Sequence, residues 1–227
     1  SCVSKASSRT GSAFITVDQS GENMIVISPG ANAKLRPDDL KSGRSLLESC
    51  QALLGQFETP SEVLVEAASV ANRENIPVVI NPSPMQLDFP WHLIQTDYLI
   101  VNEGEAVEVL GFLPLSEDPS TLRQRLHELR VEHLVVTRGA SPTLVFSRTG
   151  ESFEVETLPV LPVDTVGAGD AFAGCFTARI AAGEDLEDSI RAANCAGALT
   201  TLGPGAQDPI PDREKVDQHL DHLSAAP

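Results

Sequence analysis

The chain has 227 residues, of which 41% are hydrophobic and 21% charged, and this composition fits one soluble globular domain with a sizeable core. Its formal net charge of -16 argues against nucleic acid or an anionic membrane as a partner, because the average surface would repel both. No apolar run approaches the ~20 residues that span a bilayer, and residues 1–5 lack the apolar stretch of a signal peptide. We therefore expect a cytoplasmic protein.

The predicted elements fall into three sections along the chain. Two strand-like runs, 13–17 and 24–28, flank a glycine-containing turn at 18–22 and predict a β-hairpin. Short apolar runs then alternate with helical patterns, which predicts strands at 52–57, 78–81, 98–101 and 133–137 and helices at 61–74, 103–110 and 121–129. The last section predicts helices at 172–182, 186–202 and 212–223, with no strand between them.

The alternation of strands and helices in the middle section indicates the fold class. A strand followed by a helix and then another strand implies a right-handed crossover and a largely parallel sheet. The fold class is therefore α/β.

The segment 163–174 carries the clearest chemical signal. Gly167, Ala168 and Gly169 are small, so the backbone there can approach another group closely, and they directly precede a helical pattern. Free N–H groups at a helix start form an anion site, and Asp170 would stand beside it as a base. The same residues also suit tight helix–strand packing and a favourable helix N-terminus, so the segment by itself leaves both interpretations open.

The string Asp-Thr-Val-Gly-Ala-Gly-Asp at 164–170 resembles the C-terminal signature of the ribokinase-like (PfkB) carbohydrate kinases. Other matches follow in the family's order: Gly-Ala-Asn-Ala at 30–33, Asn-Pro-Ser-Pro at 81–84, Asn-Glu-Gly-Glu at 102–105, Thr-Arg-Gly at 137–139 and Gly-Ala-Gln at 205–207. The resemblance implies a three-layer α/β/α sandwich with a mostly parallel sheet. It also implies a partial β lid at 1–36 and a nucleotide-binding core at 37–227.

The resemblance implies a role for each residue of the phosphoryl-transfer site. Asp170 would deprotonate the terminal hydroxymethyl group of a sugar, which then attacks the γ-phosphate of ATP. The N–H groups of Gly167, Ala168 and Gly169 would stabilise the transferring phosphoryl group. Glu58, at the carboxyl end of a predicted strand, would accept hydrogen bonds from sugar hydroxyls. A solvated loop glutamate is the alternative for Glu58.

The nucleotide and its Mg²⁺ are assigned by the same resemblance. The implied nucleotide-binding residues are Asn102, Thr137, Gly139, Gly169 and Asn194. Asn102 and Glu105 would organise Mg²⁺ and the ATP phosphates, partly through water. The alternatives are a helix-capping Asn102 with a solvated Glu105, and an ordinary polar Asn194 on an alanine-rich helix.

The resemblance also implies a monovalent cation, K⁺, beside the anion site. The implied ligands are the carboxylate of Asp164 and the backbone carbonyls of Val166, Thr200, Gly203 and Gly205. Pro209 stands where the family has a serine, so the ligand shell differs there, with Asp208 nearby as a substitute.

These matches predict an ATP-dependent sugar kinase that uses Mg²⁺ and K⁺, with ribose favoured as the sugar and a homodimer formed through the lid. A fructokinase, a ketodeoxygluconate kinase, a nucleoside kinase and a non-catalytic nucleotide- or sugar-binding homologue are the alternatives. The family's sugar-holding aspartate and its Gly-Gly-x-x-x-Asn segment, which come before the lid, do not occur in the 227 residues. We therefore expect a chain without the family's N-terminal part, which phosphorylates ribose poorly or not at all by itself.

Overall fold

The structure is a computed structural model that describes residues 6–17 and 23–224, with the backbone alone at 15–17, 23–25 and 221–224. Strands β1 (Ser12–Val17) and β2 (Asn23–Ser28) pair in antiparallel fashion as a two-stranded sheet, which confirms the predicted hairpin strands. The predicted turn at 18–22 lies outside the described residues. The division into a lid at 1–36 and a core at 37–227 stays a prediction.

The central sheet is six-stranded, and its strands lie side by side in the order in which they occur in the chain. Its strands are β3 (Leu53–Gln56), β4 (Val78–Asn81), β5 (Thr96–Asn102), β6 (Val131–Arg138), β7 (Ser141–Ser147) and β8 (Ser152–Val155). Strands β3 to β6 are parallel, whereas β7 and β8 are antiparallel to their neighbours. The carboxyl ends of the parallel strands therefore share one edge of the sheet.

Helices cover both faces of this sheet. They are α1 (Arg44–Leu47), α2 (Ser61–Arg73), α3 (Glu103–Leu110), α4 (Pro119–Glu128), α5 (Ala168–Ala181), α6 (Leu186–Thr200) and α7 (Arg213–Ser224). None of the helices in the described ranges is long and apolar enough to cross a membrane.

Side chains alternate between the two faces along each buried strand. On β4, Val78 and Ile80 pack into a core cluster with residues of α2, α3 and α4, whereas Val79 packs into a second cluster with residues of α5 and α6. All three valine and isoleucine side chains are fully buried, as expected for a parallel sheet covered on both faces. The predicted three-layer α/β/α fold is confirmed.

The strands β7 and β8 were not predicted from the sequence. β7 begins with Ser141 and Pro142, and its apolar run is only three residues long. β8 is four residues long at the edge of the sheet, so its alternation of Phe153 and Val155 with polar residues is too short to indicate a strand. A tight turn at Gly139, which has a φ of 59°, joins β6 to β7. Thr137 and Arg138 of the Thr-Arg-Gly segment therefore lie on β6, and Gly139 forms the turn of a β-hairpin.

Candidate functional site

Polar residues end the parallel strands at one edge of the sheet. Gln56 ends β3 and is in register with Asn81, which ends β4. Asn102 ends β5 and is in register with Thr137 on β6. The carboxyl edge of an open α/β sheet is where such folds bind ligands. The structure therefore brings two of the predicted nucleotide residues, Asn102 and Thr137, next to each other.

The start of α5 requires glycine at position 167. Gly167 precedes the helix with a φ of 81°, and a Cβ atom there would lie 2.6 Å from the carbonyl oxygen of Ala206. Only glycine adopts this backbone conformation without a steric penalty. Gly167 thus lets the chain turn into α5 while its backbone packs against the 203–206 segment.

Free backbone donors face open space at this helix start. The N–H of Ala168 donates to the carbonyl of Thr165 at 3.3 Å, but those of Gly167 and Gly169 donate to no acceptor within the described ranges. A Cβ atom at Gly169 would meet nothing within 4 Å. The first N–H groups of a helix carry partial positive charge, so this space suits an anion.

Asp164 ties the segment before α5 to the loop after α6. Its Oδ2 accepts from the N–H of Gly205 at 2.9 Å, and its Oδ1 accepts from the N–H of Val166 at 3.0 Å. The hydrogen bonds from Gly205 and Val166 lower the pKa of Asp164. Three of the residues implied for the cation, Asp164, Val166 and Gly205, thus lie together. The Asp164 carboxylate also has a structural role, because it accepts hydrogen bonds from the other two.

Pro209 and Thr200 lie on the same side of the site. Pro209 packs closely against Gly203, since a Cβ atom at Gly203 would lie 2.9 Å from the Cβ of Pro209. The Thr200 side chain is buried, and its hydroxyl donates to the carbonyl of Ala196 at 2.8 Å. The Thr200 hydroxyl thus has a partner within its own helix, and the resemblance implies the backbone carbonyl of Thr200 as the cation ligand.

A cleft of about 250 Å³ opens between the β6–β7 turn, the 157–165 segment and helices α5 and α6. Four of the predicted nucleotide residues lie in its wall: Thr137, Gly139, Gly169 and Asn194. Much of the remaining wall is apolar and includes Leu158, Val160, Phe172 and Ala198. A largely apolar cleft with free N–H groups at one end fits a nucleoside attached to phosphates.

Asn194 makes three hydrogen bonds inside the protein. Its Oδ1 accepts from the Thr143 hydroxyl at 2.7 Å, and its Nδ2 donates to the carbonyls of Val155 and Glu156, each at 3.1 Å. The residue is 6% exposed. Its side chain therefore holds β7 and the segment after β8 together, and it shapes the cleft wall through them.

Replacing Asn194 by leucine is expected to lower both stability and ATP affinity. The change leaves the Thr143 hydroxyl and two carbonyls without partners, which costs about 1–3 kcal/mol of unfolding free energy. Thermal unfolding and calorimetric titration with ATP measure the two effects. Asn72→Leu is the control, because Asn72 on α2 makes a similar pair of hydrogen bonds with the backbone of Gln95, away from the cleft. Equal ATP affinity in the two variants would contradict the role of Asn194.

Asn102 and Glu105 form a reciprocal cap at the start of α3. Asn102 Oδ1 accepts from the N–H of Glu105 at 2.8 Å, and Glu105 Oε2 accepts from the N–H of Asn102 at 2.9 Å. The capping alternative is therefore realised in the geometry. Glu105 is half-buried rather than solvated, and burial raises its pKa. Neither residue lines the cleft described above.

Asp170 is joined to the sheet by two side-chain amides. Gln56 Nε2 donates to Asp170 Oδ1 at 3.0 Å and to Asn81 Oδ1 at 3.1 Å. Asn81 Nδ2 donates to the carbonyl of Ile100 at 3.1 Å. We call Gln56 and Asn81 the amide relay. Sequence reasoning missed the contact with Asp170, although polar residues ending two adjacent strands were a usable signal.

Glu58 lies beyond the end of β3 and faces the hairpin. It lines a second cleft, of about 610 Å³, whose wall includes Ser12 and Ile27 of the hairpin and Pro84 after β4. Glu58 is exposed. Glu58 thus lies two residues after Gln56, which contacts Asp170, and in a cleft shared with the hairpin.

Comparison with known proteins agrees with this geometry. Residues 1–213 match the family described as pfkB family carbohydrate kinase. The ribokinase of Haemophilus influenzae is 33% identical over 215 residues, which are 94% of this chain and 70% of that protein. The solved ribokinase of Thermotoga maritima is 33% identical, with a TM-score of 0.81 over 95% of this chain and 71% of that one. The ribokinase of Arabidopsis thaliana, solved with ribose and ATP, is 27% identical, with a TM-score of 0.81 over 94% and 70% of the two chains. The chain belongs to the pfkB family of carbohydrate kinases.

Proposed function

We propose that this chain carries the phosphoryl-transfer site of an ATP-dependent sugar kinase that converts ribose to ribose 5-phosphate. The observation that carries the proposal is the position of Asp170. Asp170 lies in the first turn of α5, at whose start the N–H groups of Gly167 and Gly169 have no acceptor within the described ranges. A base beside an anion site suits a reaction in which a hydroxyl loses its proton while a phosphoryl group is stabilised.

Asp170 acts as the base in the proposed reaction. It takes the proton of the terminal hydroxymethyl group, and the hydroxyl oxygen forms a bond to the γ-phosphorus. The bond from the γ-phosphorus to the bridging oxygen breaks, and ADP leaves with the electron pair. The N–H groups of Gly167 and Gly169 stabilise the negative charge on the transferring phosphoryl group, because they are oriented before the reaction begins.

The cleft fits ATP with its adenosine away from Asp170. The apolar wall formed by Leu158, Val160 and Ala198 suits the adenine base, and Gly169, whose N–H is free within the described ranges, lies in the same wall. The phosphates would then extend towards Asp170. This orientation directs the γ-phosphate towards Asp170, so that a sugar hydroxyl beside Asp170 would attack the γ-phosphorus on the side opposite the bridging oxygen, as in-line transfer requires.

Mg²⁺ would be held mainly through phosphate and water. The described residues contain no group of three or more His, Cys, Asp or Glu side chains that could hold a metal ion. Mg²⁺ keeps several waters and is often bound by one or two carboxylates together with substrate phosphates. The Glu105 carboxylate, next to Asn102 at the sheet edge, fits that arrangement. When bound, Mg²⁺ neutralises charge on the phosphates.

K⁺ is proposed as an activator bound between the 164–166 and 203–205 segments. The oxygens available there, the Asp164 carboxylate and nearby backbone carbonyls, are hard ligands of the kind K⁺ accepts. Hydrogen bonds from Gly205 and Val166 already hold these segments together, so a cation would add to an existing contact. Turnover in K⁺ is therefore expected to exceed turnover in tetramethylammonium. Equal rates would contradict the proposal.

The hairpin is proposed to mediate a homodimer. Its side chains Phe14, Val26 and Ile27 are 65%, 59% and 48% exposed, an apolar surface that a second copy could cover. Sedimentation analysis of the protein and of a Phe14→Ser variant tests this. A monomeric parent protein would contradict it.

A substrate panel tests the choice of sugar. The full-length gene product is assayed for ADP release with ribose, 2-deoxyribose, fructose, ketodeoxygluconate and nucleosides, with ATP alone as the control. We expect the highest kcat/KM with ribose, because the relatives reported above are ribokinases. A higher kcat/KM with fructose, ketodeoxygluconate or a nucleoside would assign the protein to a different member of the family. The absence of any sugar-dependent turnover would favour a non-catalytic binding protein.

A further inference from the structure

The two amides of the relay have only one consistent orientation. The carbonyl of Ile100 can only accept, so Asn81 presents its NH₂ group to it and turns Oδ1 towards Gln56. The ionised carboxylate of Asp170 at the other end also only accepts. The NH₂ group of Gln56 has two N–H donors, and these serve Asn81 and Asp170. Turning either amide over would place two acceptors or two donors against each other.

The relay stands on the parallel strands of the central sheet. Asn81 is 9% exposed and is in register with Gln56 on the neighbouring parallel strand. Ile100 lies on β5, the next strand, and is 2% exposed. The hydrogen bonds therefore cross three strands before they reach Asp170. A side chain held in this way has little freedom to rotate, which is the condition for accurate placement of a catalytic group.

Only one oxygen of Asp170 is used by the relay. Gln56 donates to Oδ1, and no hydrogen bond to Oδ2 occurs within the described part of the chain. On the basis of the proposed function, we propose that Gln56 is a positioning residue that holds Oδ1 of Asp170 and leaves Oδ2 for the sugar hydroxyl. Asn81 fixes the Gln56 amide in the orientation that this requires.

The Gln56→Met variant tests the proposal by removing both donors at nearly constant length. In the full-length gene product, kcat with ribose is expected to fall by about 10- to 100-fold, because a misplaced base loses part of its effect. KM for ATP and for ribose should change by less than about twofold, since neither substrate is bound through Gln56. Gln124→Met is the matched control, because the Gln124 amide also donates to a carboxylate, that of Glu128 at 3.0 Å, but on the exposed helix α4.

The Gln56→Glu variant separates hydrogen bonding from shape. Glutamate has the same size, but it would place a third acceptor between Asn81 Oδ1 and Asp170 Oδ1 and bring two negative charges together. The loss of kcat should therefore be larger than in Gln56→Met. If Gln56 only filled space, the Gln56→Glu variant would keep a higher kcat than the Gln56→Met variant.

The outcomes distinguish the inference from the proposed function. If Gln56→Met changes KM alone, or if Gln56→Glu turns over like the parent protein, the positioning role of Gln56 is overturned while the sugar kinase stands. If Asp170→Asn turns over like the parent protein, the base itself is misassigned and the role of Gln56 fails with it. Loss of kcat in both Gln56 variants, with glutamate the more severe, supports the positioning role.

Discussion

The Asp170→Asn variant is expected to lose about 10²- to 10⁴-fold in kcat, which is the contribution of a general base to proton transfer. Asparagine has nearly the same shape as aspartate and can still contact Gln56, but it cannot take the proton of the sugar hydroxyl. ATP affinity should stay nearly unchanged, because the cleft wall and the free N–H groups are not altered. Sugar-dependent ADP release and calorimetric titration with ATP measure the two quantities.

Asp188→Asn provides the matched control for this change. Asp188 also lies in the first turn of a helix, α6, but it is exposed and paired with Arg191. An exposed ion pair contributes about 0–1 kcal/mol, so Asp188→Asn should turn over like the parent protein. Parent-like turnover in Asp170→Asn would contradict the assignment of the base. A large loss of ATP affinity in that variant would show that Asp170 acts in nucleotide binding instead.

Alanine at Gly167 is expected to damage the fold around the site. The left-handed conformation alone costs a residue with a Cβ about 1–2 kcal/mol. The new Cβ would also lie 2.6 Å from the backbone oxygen of Ala206, which cannot move without displacing the 203–206 segment. For a protein of this size each kcal/mol lowers the unfolding temperature by about 2–4 °C, so thermal unfolding detects the loss. Turnover should also be lost, because the displaced start of α5 carries the N–H groups proposed to bind the phosphate.

Alanine at Gly169 is expected to lower activity without lowering stability. Its Cβ would meet nothing within 4 Å, and alanine favours the helix over glycine, so the unfolding temperature should stay constant or rise. The methyl group would extend into the space in which we place the phosphates. We therefore expect kcat/KM for ATP to fall by about 10- to 100-fold, because a misplacement of the γ-phosphate by about 1 Å has an effect of this size.

Gly174→Ala is the control for both glycine variants. Gly174 lies on the same helix, and a Cβ there would also meet nothing within 4 Å. It should gain up to about 1 kcal/mol in unfolding free energy and keep full turnover. A stable Gly167→Ala variant with normal turnover would contradict the close contact with Ala206. Normal turnover in Gly169→Ala would contradict the placement of the phosphates.

The regular parts of the fold could be predicted because their patterns are local. The α/β class followed from apolar runs such as 78–81 alternating with helical patterns such as 61–74, and the structure has a strand and a helix at these positions. The strands β7 and β8 could not be predicted in the same way. Their few apolar residues, such as Leu144, Val145 and Val155, are buried only in the folded chain, where β7 pairs with β6 and with β8.

The candidate site was predictable to the extent that its residues are adjacent in the chain. The 164–170 string holds the predicted anion site and base within seven residues, so the sequence could bring them together, although their chemistry was assigned only through the family resemblance. The contact between Gln56 and Asp170 spans 114 residues, and the polar residues that end β3 and β4 indicate a shared site at the sheet edge but not this partner. The Asn194 side chain likewise contacts Thr143, 51 residues away, so its structural role required the folded chain.

A crystal structure of the protein with a non-hydrolysable ATP analogue and Mg²⁺ tests the central claim most directly. We expect the adenine between Leu158 and Ala198, and the γ-phosphate within hydrogen-bond distance of the N–H groups of Gly167 and Gly169. Asp170 Oδ2 should face the γ-phosphate across the space left for a sugar hydroxyl. A nucleotide bound away from the start of α5, or in the cleft with its phosphates directed away from Asp170, would contradict the claim.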